Sequence, residues 1–289
     1  MKISLGPIQY HWPADKVKHF YRQIRDWPVD TVYLGEVICS KREELSLLDW
    51  LYIADMLTEA GKEVVLSTLV HVETTADLKF LTQICDNGDY KIEANSESAI
   101  RMAFGRPFVA GASLNNCKKD VLKDLEYYGA VRWVMPIGLS GANLRNISET
   151  RPAGMQIEVL VYGGLPMSFS SNCITAMAHH LTTDTCELVC KKYNEGMELS
   201  NKDVEDTLIV NGFQIQAGRP CNLINEVDNL KSAGVDVIRI SPQLNHTKNI
   251  VENFSQALNG KQIDENFIST KKWCNEYWYA EEKLENHVV

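Results

Sequence analysis

Short apolar runs recur along this chain, with helix-like stretches between most of them, and that rhythm narrows the possible folds more than any other feature. The runs are Ile3–Leu5, Thr31–Gly35, Val64–Leu69, Lys91–Ala94, Phe108–Ala112, Arg132–Met135, Ile157–Tyr162, Phe213–Ile215 and Val235–Ile240. Helical spacing fills Asp15–Arg25, Leu45–Ala60, Thr75–Asp86, Ser96–Phe104, Asp120–Tyr128 and Leu223–Ala233. Glycine, the usual helix stop, follows Ala60, Tyr128 and Ala233, each time just ahead of a new apolar run. Such alternation predicts βα units with parallel strands. About eight steps favour a TIM-type (β/α) barrel, regular or distorted. A doubly wound open sheet is the alternative. Its usual dinucleotide fingerprint is missing, because the first turn reads Gly6-Pro7-Ile8-Gln9, a poor cradle for a pyrophosphate.

The rhythm breaks between Gly163 and Gln214, too long an interval for a simple crossover. We expect one barrel-like domain over residues 1–289, with an insertion at about 163–213 after the seventh strand and an aromatic C-terminal tail around Trp273–Tyr279. A chain of 289 residues, 45% hydrophobic, can bury a large core. Its net charge of −9 argues against non-specific nucleic-acid binding, which needs cations for phosphates. No apolar run approaches the roughly 20 residues of a membrane span. The start, Met1-Lys2-Ile3-Ser4-Leu5-Gly6, reads as a strand rather than a signal peptide, so a cytoplasmic location is expected.

That location matters for the eight cysteines, because a reducing compartment disfavours structural disulfides. Cys173, Cys186 and Cys190 share the insertion, and Cys39 follows the second strand. If residues 186–190 are helical, those two thiols project from one face. In a barrel, the loops carrying Cys39 and Cys173 both open on the C-terminal face. Four thiolates there suit tetrahedral zinc or an iron–sulfur cluster; the plainer reading is buried, inert cysteines. His179 and His180 keep a mixed Cys/His zinc site open, although neighbours on a helix point apart and a solvated face is the default. Cys85, Cys117, Cys221 and Cys274 read as core, strand-end, turn and aromatic-tail residues.

The C-terminal strand ends also present Glu36, Thr68, His71, Glu93, Asn95, Ser113, Asn115, Tyr162, Arg239 and Ser241. Glu36 and Glu93 are candidates for a proton-handling pair, Arg239 for holding a carboxylate, and His71 for shuttling protons. Salt bridges and loop anchors are the structural alternatives for each. Tyr10-His11-Trp12 reads as packing. Neither a Gly-x-Ser-x-Gly elbow nor a His-Glu-x-x-His helix is present, so no nucleophile-and-base set stands out.

Gly35-Glu36-Val37-Ile38-Cys39-Ser40-Lys41-Arg42 resembles a signature of the U32 "peptidase-like" family. So does Tyr162-Gly163-Gly164-Leu165-Pro166-Met167, leading through Ser171-Asn172 to Cys173. The resemblance runs from the first strand to Ile238–Pro242, and its cysteine pattern is most similar to the branch acting in anaerobic ubiquinone biosynthesis. It implies a barrel-like fold and a [4Fe-4S] cluster on Cys39, Cys173, Cys186 and Cys190. It further implies a subunit of an oxygen-independent ubiquinone-ring hydroxylase, with prephenate proposed as hydroxyl source. The partners implied are a UbiU-like paralogue in a heterodimer and a UbiT-like lipid-binding protein. The alternatives are a peptide hydrolase of the U32 type and a non-catalytic electron-transfer or scaffold subunit.

Overall fold

The structure is a computed structural model that describes residues 1–115, 117, 120–200, 207–261, 263 and 273–279. Residues 201–206 of the expected insertion and 280–289 beyond the aromatic tail lie outside the described residues. The first seven apolar runs become strands, each followed by a helix up to the sixth. In chain order they are β1 (Lys2–Leu5), α1 (Ala14–Ile24), β2 (Thr31–Leu34), α2 (Leu47–Glu59), β3 (Glu63–Ser67), α3 (Thr75–Cys85), β4 (Lys91–Ala94), α4 (Glu97–Ala103), β5 (Phe108–Ala110), α5 (Val121–Tyr128), β6 (Ala130–Val134), α6 (Gly141–Ser148) and β7 (Gln156–Gly163). Side-chain chemistry sets the helix starts. Ser46, Thr74 and Ser140 each form a capping box with the residue three positions on.

After β7 the chain leaves this pattern. It forms β8 (Pro166–Phe169), α7 (Ile174–Ala178), β9 (Met197–Leu199), β10 (Leu208–Asn211), β11 (Gln214–Ala217) and β12 (Cys221–Asn222). It then returns through α8 (Val227–Ser232), β13 (Val237–Ile240), α9 (Thr247–Leu258) and α10 (Glu276–Tyr279). β13 pairs in parallel with both β1 and β7, and β7 also pairs with β6. The parallel strands β1–β7 and β13 therefore close into an eight-stranded α/β barrel of the TIM type, with β12 added antiparallel to the end of β7.

The run Phe213–Ile215, read from sequence as a barrel step, does not belong to the barrel. Gln214–Ala217 pairs antiparallel with β8 and β10 in a separate sheet of order β8-β11-β10-β9. The local cue is the alternation Gln214-Ile215-Gln216, which suits an antiparallel strand with two unlike faces. Barrel strands such as β2 and β5 are buried on both faces. Here the inward face is the polar one: Gln214 and Gln216 are buried and Ile215 only half-buried.

Most of the core fills the space between barrel and helices, while Tyr33, Val65, Val109 and Val134 pack inside the barrel. The barrel interior also holds charge. Fully buried Glu158 accepts from Ser4 Oγ at 2.7 Å, Tyr33 OH at 2.6 Å and Arg239 Nε at 2.5 Å. Arg239 NH1 also meets Glu93 at 2.6 Å, and Arg132 NH2 meets Glu63 at 2.7 Å. One glycine sets the geometry at the mouth. Gly35 follows β2 at φ +118°, where a Cβ would lie 2.8 Å from the Ser67 carbonyl oxygen. Only glycine fits this turn comfortably, and the turn launches the loop carrying Cys39.

Candidate metal centre

The Cys39 loop is built on Glu36. Its carboxylate accepts the backbone N–H of Ile38 at 2.8 Å and of Cys39 at 3.1 Å. The Arg42 N–H then closes the turn on the Cys39 carbonyl at 3.0 Å. Cys173 precedes α7, and its N–H donates to Thr183 Oγ1 at 3.2 Å. The helix is tied to the inserted sheet by Ile174 N–H on the Gly212 carbonyl, 2.9 Å, and by Gly212 N–H on Thr175 Oγ1, 2.9 Å.

Residues 186–190 are not an α-helix, which corrects the sequence expectation. Glu187 and Leu188 are left-handed, at φ +47° and +52°, and a short 3₁₀ turn runs from Val189 to Lys192. Two consecutive non-glycine residues in that region break helical propagation. The two thiols are therefore presented by an irregular loop rather than by one helix face, yet both are buried. Cys173 and Cys186 pack with Ala176 and Phe213, and Cys39, Leu181 and Leu188 close over them. Cys39, Cys173 and Cys186 thus share one apolar cluster, and Cys190 is buried in the same loop as Cys186. Among the described residues, no three His, Cys, Asp or Glu side chains form a tight group for a single metal ion. A tetrahedral zinc, with sulfur at about 2.3 Å, demands such a group.

The electrostatics bear on what these thiols hold. Burial pushes the Cys39 thiol up to about 12 and raises Cys190 as well, so both are neutral thiols in the metal-free protein. Burial also raises the Glu36 carboxyl, against the pull of Arg42 and the backbone N–H groups. Arg42 lies among them, 4% exposed. Its NH1 donates to the Gln9 carbonyl and its NH2 to Asn211 Oδ1, each at 2.9 Å, while Nε has no partner among the described residues. Its nearest carboxylate, Glu36, stands 4.0 Å away. Burial opposes the Arg42 charge and nearby Glu36 favours it, and on balance its pKa is raised. By donor chemistry alone, four cysteine thiols are what a four-thiolate centre takes.

Cys190 has a second neighbour. His11 Nδ1 lies 3.2 Å from its sulfur, and His11 Nε2 lies 2.9 Å from Glu44 Oε1, which Lys191 also contacts at 2.8 Å. Burial lowers the His11 pKa, partly offset by its hydrogen bond to Glu44. Sequence reading put His11 down to packing. Its partners lie far along the chain, so no spacing rule could join them.

The candidates at the strand ends fall into separate networks. Glu36 belongs to the cysteine loop and Glu93 to the barrel interior, where Ser67 Oγ donates to it at 2.7 Å. They are not brought together as a pair. Arg239 does hold carboxylates, but they are the protein's own Glu93 and Glu158. Thr68, Asn95 and Ser113 bond to one another's loops. Buried Tyr162 packs on Phe254, and His71 packs against Phe213 with Nε2 3.2 Å from Glu73. His179 reaches the Tyr193 hydroxyl at 2.8 Å, and His180 is left-handed just past α7.

A cavity of about 390 Å³ occupies the barrel mouth, with Glu93, Asn95, Ser113, Arg239 and Ser241 on its walls. The strand β8 and Gln214 of the inserted sheet also line it. Ile38 lines this cavity and also a second one of about 240 Å³ that reaches Cys39. The space beside His11 and Arg42 measures only about 30 Å³.

Several solved structures match this chain at low identity and low TM-score. The spore cortex-lytic enzyme SleL of Bacillus cereus matches with a TM-score of 0.41 and 11% identity, covering 92% of this chain and 76% of SleL. A glycoside hydrolase family 18 N-acetylglucosaminidase from Paenibacillus barengoltzii matches with a TM-score of 0.43 and 10% identity, over 89% of this chain and 100% of the enzyme. Plasmodium falciparum HPPK-DHPS A437G/K540E gives a TM-score of 0.45 and 10% identity, over 92% of this chain and 47% of that longer chain. Sequence likeness is more specific than these folds: the family model of Peptidase family U32 matches residues 16–283, and the chain belongs to that family.

Proposed function

We propose that Cys39, Cys173, Cys186 and Cys190 hold a [4Fe-4S] cluster, and that the chain is a UbiV-like member of the family. In this reading it works in oxygen-independent hydroxylation during ubiquinone biosynthesis. A UbiU-like paralogue is its partner in a heterodimer, and a UbiT-like protein handles the lipid. The observation that supports the cluster is that Cys173 and Cys186 are buried in one group with Cys39 packed against them, and that Cys190 is buried in the same loop as Cys186. When bound, a cluster of this type supplies one-electron transfer. The chain's own part is to exclude water around the thiols, to offset the centre's negative charge with Arg42, and to offer the barrel-mouth cavity beside Ile38 as the chamber for a substrate ring.

The test is iron and sulfide analysis after anaerobic purification of the wild type and the four single Cys→Ala variants. About four iron and four sulfide per chain are expected, lost or sharply reduced in each variant. Stoichiometric zinc without iron or sulfide would sink the proposal.

One observation favours the hydrolase alternative: Cys190, His11 and Glu44 stand in the order of a nucleophile, base and orienting acid. Two others oppose it. Burial raises the Cys190 thiol pKa instead of activating it, and the adjoining space of about 30 Å³ admits little more than a water. Peptide turnover that survives loss of iron and disappears in Cys190→Ser would favour the hydrolase.

A further inference from the structure

We propose that Cys221 and Cys274 form a dithiol–disulfide pair, and that its oxidation fastens the C-terminal segment 273–279 to the barrel by a covalent bond. Sequence reading placed these two cysteines far apart, one in a turn and one in the aromatic tail. The structure sets them directly opposite each other, in a parallel β-bridge between β12 and the segment. Two backbone hydrogen bonds hold this register. Asn222 N–H donates to the Cys274 carbonyl and Cys274 N–H to the Pro220 carbonyl, each at 2.9 Å. Neighbouring strands run about 4.7–4.9 Å apart, inside the roughly 4.4–6.8 Å between Cα atoms that a disulfide spans. Residues opposite each other in a ladder also share a face. Both thiols are buried, at 0% and 8% exposure, and they belong to the main core rather than to the group around Cys39, Cys173 and Cys186. Their contacts as thiols include Cys221 Sγ on the Val161 carbonyl at 3.7 Å and Cys274 Sγ on the Arg219 carbonyl at 3.6 Å, weak S–H bonds that oxidation gives up at small cost.

Side chains hold the rest of the segment. Tyr277 OH donates to the Leu160 carbonyl at 2.5 Å, and Arg219 Nη2 lies 3.5 Å from Glu276. Trp278 packs over Gly141, where a Cβ would come within 2.6 Å of its ring. Leu160 also lines the barrel-mouth cavity, so the disulfide tightens a strap on the wall of that cavity. The oxidant is a low-molecular-weight disulfide. The Cys274 thiolate attacks one of its sulfurs, a mixed disulfide forms and one small thiol leaves. The Cys221 thiolate then attacks the Cys274 sulfur, and the second small thiol leaves. The two cysteines give up two protons and two electrons, and the small disulfide takes both. Because both thiols are buried, the first attack waits on a local opening of the segment.

The test uses the full chain, purified without oxygen and equilibrated with mixtures of reduced and oxidised glutathione. Remaining thiols are alkylated, and the digested protein is read by mass spectrometry. Cys221 and Cys274 should be linked to each other in oxidising mixtures and alkylated in reducing ones. Hydrogen exchange at the Asn222 and Cys274 amides, whose bonds span the bridge, should slow at least tenfold in the oxidised form. Cys274→Ser, treated in the same way, should show no slowing. Both cysteines still alkylated in the most oxidising mixture overturn the proposal, as does either of them joined to Cys39, Cys173, Cys186 or Cys190. Equal exchange rates in the two forms overturn the fastening. If Cys274→Ser does not fold, the oxidised and reduced wild type decide alone. Neither readout uses iron or sulfide, so the pair stands or falls separately from the cluster.

Discussion

Replacing Glu158 by Gln probes the barrel interior where its balance is finest. The carboxylate is fully buried and takes three hydrogen bonds, from Ser4, Tyr33 and Arg239, with Arg132 NH1 at 3.6 Å. Around it, Arg239 and Arg132 face Glu158 and Glu93, while Glu63 is shared between Arg132 and Lys91. Gln keeps the shape and removes one negative charge, and its amide turns an N–H toward a group that is itself a donor. Breaking a buried ion pair costs about 3–5 kcal/mol. Arg239 keeps Glu93, so the lower end applies, and we expect a loss of about 3 kcal/mol. The assay is urea unfolding followed by circular dichroism, with the slope unchanged and the midpoint lowered. A double variant, Glu158→Gln with Arg239→Gln, restores the charge count. It should cost less than the sum of the singles by at least about 1 kcal/mol. A single-variant cost below about 1 kcal/mol, or strict additivity, refutes the reasoning that these groups form one coupled buried network.

Two further outcomes follow from local geometry. Hydrogen bonds from Lys91 and Arg132 overcome burial and pull the Glu63 carboxyl down to about 2 from 4.5. Its folded pKa lies below the unfolded one, so its stabilisation is present above about pH 4.5 and is lost as pH falls toward 2. The full shift corresponds to about 3 kcal/mol, reduced to about 1–2 by the partial exposure of the side chain. Glu63→Gln should lower the urea midpoint at pH 7 and flatten its acid limb; an unchanged limb contradicts this. Gly35→Ala forces a Cβ to 2.8 Å from a backbone oxygen at φ +118°, whereas Gly61→Ala, at φ +80°, meets nothing within 4 Å. Thermal unfolding should therefore show Gly35→Ala costing about 2–3 kcal/mol and Gly61→Ala about 1; equal losses would show that the close approach to Ser67 does not matter.

Much of the barrel was legible because a parallel strand buried on both faces writes itself as an apolar run, and glycine marks where the preceding helix stops. The loop from β2 to Cys39 was placed correctly on the C-terminal face for the same reason. Residues 186–190 were not legible. Nothing in Cys-Glu-Leu-Val-Cys signals that Glu187 and Leu188 turn left-handed, since that conformation is imposed by packing around Cys173 and Phe213. Phe213–Ile215 misled for a different reason: the alternation Phe213-Gln214-Ile215-Gln216 already shows two unlike faces, but three residues are too few to tell an inserted antiparallel strand from a barrel step. The interior acids did leave a trace. Glu93 and Glu158 each sit between apolar residues of a barrel strand, an inward position where an unpaired charge is intolerable, so distant arginines had to be present.

Both sets of buried charge leave one guanidinium nitrogen without a hydrogen-bond partner among the described residues, Arg239 Nη2 in the barrel and Arg42 Nε at the mouth. Inside the barrel, arginines and carboxylates otherwise meet within hydrogen-bonding distance. At the mouth, Arg42 has only Glu36 at 4.0 Å, a carboxyl whose own burial favours its neutral form, and two thiols that burial keeps protonated. On the cluster reading proposed above, a negative centre on the four thiols would lie on the same side of the barrel as Arg42, and its loading would release the thiol protons.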